Sequence, residues 1–192
     1  SGTEAIECGF KIIRRHFHSK GQTQKNRIVS MSNAFHGRSI AAIASAGNPA
    51  HCEGFLVGDP GFDQAKFGDF ESLISTISDN TAGIIIEPVQ GEGGINVAEL
   101  GYLQSVRELC DQQNILLMFD EVQCGIARTG SLYAYQQLGV NPDILTTAKG
   151  LGGGFPIGAC LATEEVACAL VAGTHGSTFG GNPLATAVGN AV

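Results

Sequence analysis

Lys149 stands alone between an apolar run and the densest cluster of glycines in the chain, in "ILTTAKGLGGGFPIGA" at residues 144–159. An amine at the end of a strand can serve as a tether, a base or an anion contact, and small residues behind it let a planar ligand approach the backbone. A phosphate-binding loop of the form G-x-x-x-x-G-K-[ST] needs its glycines before the lysine, and here they follow it. The dinucleotide pattern G-x-G-x-x-G fails too, because Gly150 and Gly152 lead to Phe155. Read alone, Lys149 is most simply an exposed, solvated side chain.

A second group changes that weighting. Asp120 closes "ILLMFD" (115–120), the most hydrophobic run in the chain, and Glu121 follows at once. A carboxylate there needs a cation or hydrogen-bond donors, since burying it unpaired is costly. Paired acids could hold a divalent metal through oxygen, but successive strand residues point to opposite faces, which weakens that reading. A buried carboxylate can also keep a pyridinium nitrogen protonated. "SGTEA" (1–5) matches a capping box, with Ser1 as cap and Glu4 three residues on, and capping alone explains it. The same helix start also offers free N–H groups and a positive dipole end to a phosphate. "HGSTFGGNP" (175–183) is a glycine-rich loop with hydroxyls. His16 and His18 lie two apart on a predicted helix and face different ways, and His36, His51 and His175 lack ligand spacing, so no metal site is expected. No G-x-S-x-G elbow is present, which removes the hydrolase reading.

These groups need elements to hold them. "GIIIE" (83–87), "ILLMFD" and "ILTTAK" (144–149) are short aliphatic runs of the kind covered on both faces in parallel sheets, with "RIVSM" (27–31) a weaker candidate. Ile6, Phe10, Ile13 and Phe17 share one face of a helix predicted over 3–18. Phe70, Leu73, Ile74 and Ile77 repeat the pattern before one strand, and Leu100, Leu103, Val106 and Leu109 before another. Strands alternating with helices predict a doubly wound α/β sheet in one domain. Ligands of such sheets sit beyond the carboxyl ends of the strands, where Glu87, Asp120 and Lys149 all fall.

Composition narrows the classes. At 192 residues, 43% hydrophobic and 15% charged, the chain is globular, and a formal charge of −7 argues against a nucleic-acid binder. No run approaches the roughly 18 apolar residues a membrane span requires. Six cysteines without a C-x-x-C pair read as buried, reduced thiols of a cytoplasmic protein. With no initiator methionine, a helix start at one end and a helical pattern at the other, the expectation is a fragment.

In order and approximate spacing, "SGTEA", "FHGR", "EPVQGEGG", "FDEVQCG", "AKGLGGGFPIGA" and "HGSTFGGNPLA" resemble the motifs of class III aminotransferases across essentially the whole chain. That family depends on pyridoxal 5'-phosphate (PLP). The resemblance implies an α/β, fold-type I PLP-dependent transferase large domain with a mostly parallel central sheet and helices on both faces. Residues 1–192 would be part of that domain, without its amino-terminal arm and carboxyl-terminal small domain. Lys149 would form the Schiff base with the cofactor and then act as base. Asp120 would pair with the pyridinium nitrogen and Gln123 with the phenolic oxygen. Phe35 and Val122 would pack the two ring faces, and Gly2 and Thr3 would donate to the phosphate. Thr178 would reach the phosphate of the partner subunit in a homodimer. Arg38 would bind a substrate carboxylate, Glu92 would screen a second arginine outside this sequence, and Glu87 would support the site.

"GVNPDILTTAKGLGGGFPIGA" and "HGSTFGGNPLA" are similar to the acetylornithine branch of the family. This implies transfer of the δ-amino group of N-acetylornithine to 2-oxoglutarate, a step in arginine synthesis. Ornithine, 4-aminobutyrate or succinylated diamines as donors, or an aminomutase, are the neighbouring alternatives. A binding module without turnover is the alternative of another class, and the joint presence of Lys149 and Asp120 speaks against it.

Overall fold

The structure is a computed structural model and describes residues 1–56 and 58–192. Its centre is a six-stranded sheet built from β1 (Arg27–Met31), β2 (Phe62–Ala65), β3 (Thr81–Ile86), β6 (Leu116–Asp120), β7 (Ile144–Thr147) and β8 (Ala159–Ala162). The spatial order is β2-β1-β3-β6-β7-β8, and every pairing is parallel except that of β7 with β8. A two-stranded antiparallel ribbon, β4 (Val89–Gln90) with β5 (Asn96–Val97), stands apart from it. The mostly parallel α/β architecture expected from the sequence is therefore present.

Alternation along the central strands divides the core into two layers. Ile84 and Ile86 of β3 and Leu117 and Phe119 of β6 pack with Leu103 and Val106 of helix α5 (Leu100–Gln113) and Leu73 of α4 (Phe70–Thr76). Ile85 of β3 and Leu116 and Met118 of β6 face the other way, onto Ile6, Phe10, Ile13 and Phe17 of helix α1 (Gly2–Ser19). A strand covered on both faces cannot alternate apolar with polar, which is why these runs read as continuous. Gly9 lets α1 lie close to the sheet: a Cβ there would stand 2.5 Å from Met118 Cε.

Five other helices lie among the described residues. They are α2 (Ile40–Ala46), α3 (Pro49–Cys52), α6 (Ala134–Leu138), α7 (Glu164–Ala167) and α8 (Pro183–Ala191). Three local expectations need correction. On α4 only Leu73 is buried, and Ile74 faces solvent. The buried stripe of α5 is Tyr102, Leu103, Val106 and Cys110, with Leu100 exposed and Leu109 only partly covered, because Tyr102 and Cys110 complete the sheet-facing arc. The cysteines are all free, but only Cys110 and Cys124 are buried; Cys168 is exposed and Cys8, Cys52 and Cys160 are partly covered. Among the described residues no helix is long and apolar enough to cross a membrane.

Candidate active site

The order in which strands are added switches sides across the parallel β1–β3 pair. The chain leaves β1 toward β2 on one side and β3 toward β6 on the other, and such a switch opens a crevice at the carboxyl ends of the strands. A cavity of about 340 Å³ occupies that position. Glu87 follows β3, Asp120 ends β6 and Lys149 follows β7, and all three line the cavity. Gly2 and Thr3 of the first turn of α1, with Phe35, Glu92, Val122 and Gln123, complete its expected walls.

Asp120 is the buried floor. One carboxylate oxygen accepts from the Val122 N–H at 3.0 Å, and the other accepts from His36 Nδ1 at 2.8 Å. A carboxylate only accepts, so the Nδ1 proton belongs to the histidine. The His36 ring is itself buried, and its Nε2 has no hydrogen-bond partner. Beside this pair, Glu87 accepts from the Phe35 N–H at 3.1 Å. Burial pushes its carboxyl up to about 7, an effect opposed by His36 and reinforced by Asp120.

Glu121 points away from this floor. Its two oxygens accept from the N–H groups of Ala134 at 2.6 Å and Tyr135 at 2.9 Å, so it holds the first turn of α6. The neighbouring acids thus split between the faces of the strand, as period two demands. Lys149 lies just past the strand, not within it, and opens a single 3-10 turn, Lys149–Gly152. Its φ is +44°, a left-handed conformation that costs a lysine energy and that glycine would take freely. Strain of this kind concentrates where a side chain must be aimed.

At the first turn of α1, Glu4 reaches back to the Ser1 nitrogen at 2.7 Å, as a capping box requires. Gly37 presses against this turn with φ +125°, and a Cβ there would fall 2.1 Å from Thr3 Oγ1. The Arg38 N–H donates to that same hydroxyl at 3.4 Å. The Arg38 guanidinium itself lies 5.5 Å from the Phe35 ring centre and lines a neighbouring pocket with Glu92. Thr178 is not in the cavity. It sits on an exposed loop in a separate groove, where Ser1, Pro156 and Ile157 are shared with the cavity wall.

A model of the aminotransferase class-III family matches residues 1–192. The chain belongs to the class III aminotransferases. Across its whole length this class III chain is 54% identical to the acetylornithine aminotransferase of Agrobacterium fabrum, covering 48% of that protein. Over 188 residues it is 51% identical to the succinylornithine transaminase of Citrobacter koseri, covering 98% of this chain and 46% of that one. Among solved structures, the ornithine aminotransferase from Toxoplasma gondii ME49 superposes with a TM-score of 0.93 at 39% identity, over 99% of this chain and 46% of that one. The class III chain thus spans about half the length of the relatives it matches.

Sequence reasoning missed one part of this aminotransferase site. His36 lacks metal-ligand spacing, although its place in "FHGR" beside Phe35 is a usable signal. Glu121, expected from the strand period to face away from Asp120, does so.

Proposed function

We propose that the protein carrying this chain is a PLP-dependent aminotransferase that moves the terminal amino group of N-acetylornithine to 2-oxoglutarate. The observation that carries the reading is the convergence of Lys149 and Asp120 on one cavity from the ends of adjacent strands. The cavity also suits PLP: a buried acid lies at its floor, Phe35 and Val122 stand in its walls, and the first turn of a long helix offers N–H donors. Once bound, PLP withdraws the electrons left on the substrate carbon when its proton departs.

The remaining chemistry falls to the chain. Lys149 would hold the cofactor through its amine and, once free, would carry the proton from and to the substrate carbon. Asp120, held in place by His36 and the Val122 N–H, would face the cofactor nitrogen. Gln123 would donate to the phenolic oxygen, and Gly2 and Thr3 would donate to the phosphate. Arg38 meets a carboxylate of the substrate, Glu92 screens a second cationic group at the same mouth, and Glu87 supports the Phe35 backbone. In the assembled homodimer Thr178 serves the phosphate of the partner subunit, consistent with its place on an exposed loop outside this cavity. Residues 1–192 make up the cofactor-binding part of the large domain, and the protein works in the cytoplasm.

A sibling donor is the second reading, because relatives named for succinylornithine and ornithine also match, at 51% and 39% identity. Full-length protein is expected to be yellow, and borohydride is expected to fix the chromophore on Lys149. Half-reaction rates should rank acetylornithine above ornithine and 4-aminobutyrate. Protein that stays colourless with added PLP would overturn the reading, and equal or faster reaction with free ornithine would overturn the choice of donor.

A further inference from the structure

A second pocket of about 300 Å³ borders the cavity and shares Phe35 and Glu92 with it. Arg38, Asn48 and His51 line it. Arg38 and His51 both flank the Phe35 ring, with the guanidinium carbon 5.5 Å and the imidazole centre 6.4 Å from the ring centre. The side chains of Arg38 and His51 make no hydrogen bond or ion pair among the described residues. Asn48 accepts from the Ala50 N–H through Oδ1, and its Nδ2 hydrogens have no partner among the described residues. The pocket is therefore rich in unused donors, with one carboxylate, Glu92, at its border.

We propose that His51, with Asn48, selects an N-acylated diamino acid over the free one by answering the acylamide of a substrate whose carboxylate Arg38 holds. The proposal deepens the reading above and rests on it for the identity of the reacting end. A carboxylate is matched by Arg38. An acylamide adds one carbonyl acceptor, matched by His51 or Asn48, and one N–H donor, matched by Glu92. A free ammonium has no acceptor, so it would leave the donors of His51 and Asn48 unanswered, and a polar group left without a partner weakens binding. Recognition of this kind discriminates more sharply than apolar contact, because the penalty falls on the ligand that cannot answer.

Two ligands that lack the reacting amine test this without any turnover: N-acetylnorvaline, with carboxylate and acylamide, and pentanoate, with the carboxylate alone. Titration calorimetry on the full-length protein should show N-acetylnorvaline binding about tenfold tighter than pentanoate. His51→Phe should remove most of that preference and leave pentanoate within about twofold, while His51→Gln, which keeps a donor, should restore part of it. Arg38→Gln should weaken both ligands. If His51→Phe weakens both equally, or leaves N-acetylnorvaline unchanged in a protein with unaltered melting, the selective role of His51 is wrong. Because binding is measured apart from transamination, a colourless or inactive protein that keeps this preference would sink the enzymatic reading and leave the pocket standing.

Discussion

His36 and Asp120, 84 positions apart in sequence, meet through one 2.8 Å hydrogen bond in the buried floor of the cavity. Removing the histidine leaves that oxygen of Asp120 without its donor. His36→Ala should therefore destabilise the protein by about 1–3 kcal/mol. Replacing both residues should cost less than the two single changes added together, with a coupling of about 1.5 kcal/mol or more. Denaturant midpoints across His36→Ala, Asp120→Asn and the double variant measure it. Additive effects would mean that the contact carries no energy.

Glu87 gives the apo-protein a defined pH response. Its folded pKa of about 7 lies above the model-peptide value of 4.5, so the folded state holds an extra proton between those values. Stability is then greatest below the lower value and falls as pH rises through the upper one. The loss is on the order of 3 kcal/mol. His36, Asp120 and Lys149 act on the same carboxyl and have to be kept in the comparison. Urea midpoints at pH 5 and pH 8 should separate in the wild type and draw together in Glu87→Gln.

Glu121 and Asp120 should part company under mutation. Glu121→Ala removes two acceptors from the first turn of α6 and should lower stability by about 2 kcal/mol, without changing the colour of the PLP-loaded protein. Asp120→Ala should shift or abolish that absorbance. A common phenotype for the two would contradict the division between strand faces.

Lys149 is expected to stabilise the fold when it is lost. Lys149→Gly relieves the left-handed backbone at φ +44° and should raise the apo-protein's stability by about 1 kcal/mol, while abolishing transamination. Thermal melting of both apo-proteins decides this, and a lower Tm for the glycine variant would show that the turn is not strained.

The central strands were legible in the sequence because residues buried on both faces leave continuous aliphatic runs, and β1, β3, β6 and β7 all carry one. The edge strands β2 and β8 did not register. "FDQA" and "ACLA" are four residues long and partly exposed, so their identity comes from pairing with β1 and β7 rather than from their own pattern. Cavity residues could be named where a motif tied a residue type to a strand end, as at Asp120 and Lys149. His36 escaped because its role exists only through contact with a distant acid, and no local spacing encodes that. The α4 and α5 stripes were off by a fraction of a turn, since periodicity fixes that a helix has a buried arc better than it fixes where the arc ends.

The strand order has a consequence for how the protein comes into being. The cavity needs the first turn of α1 and the end of β7, which stand far apart in the sequence, with β1, β3 and β6 between them. A chain synthesised only as far as β6 lacks Lys149, so a cofactor present during synthesis has no complete site to grip until β7 is in place. It therefore acts as a latch on a completed sheet rather than as a template for an early one, and its influence falls on how slowly the sheet comes apart.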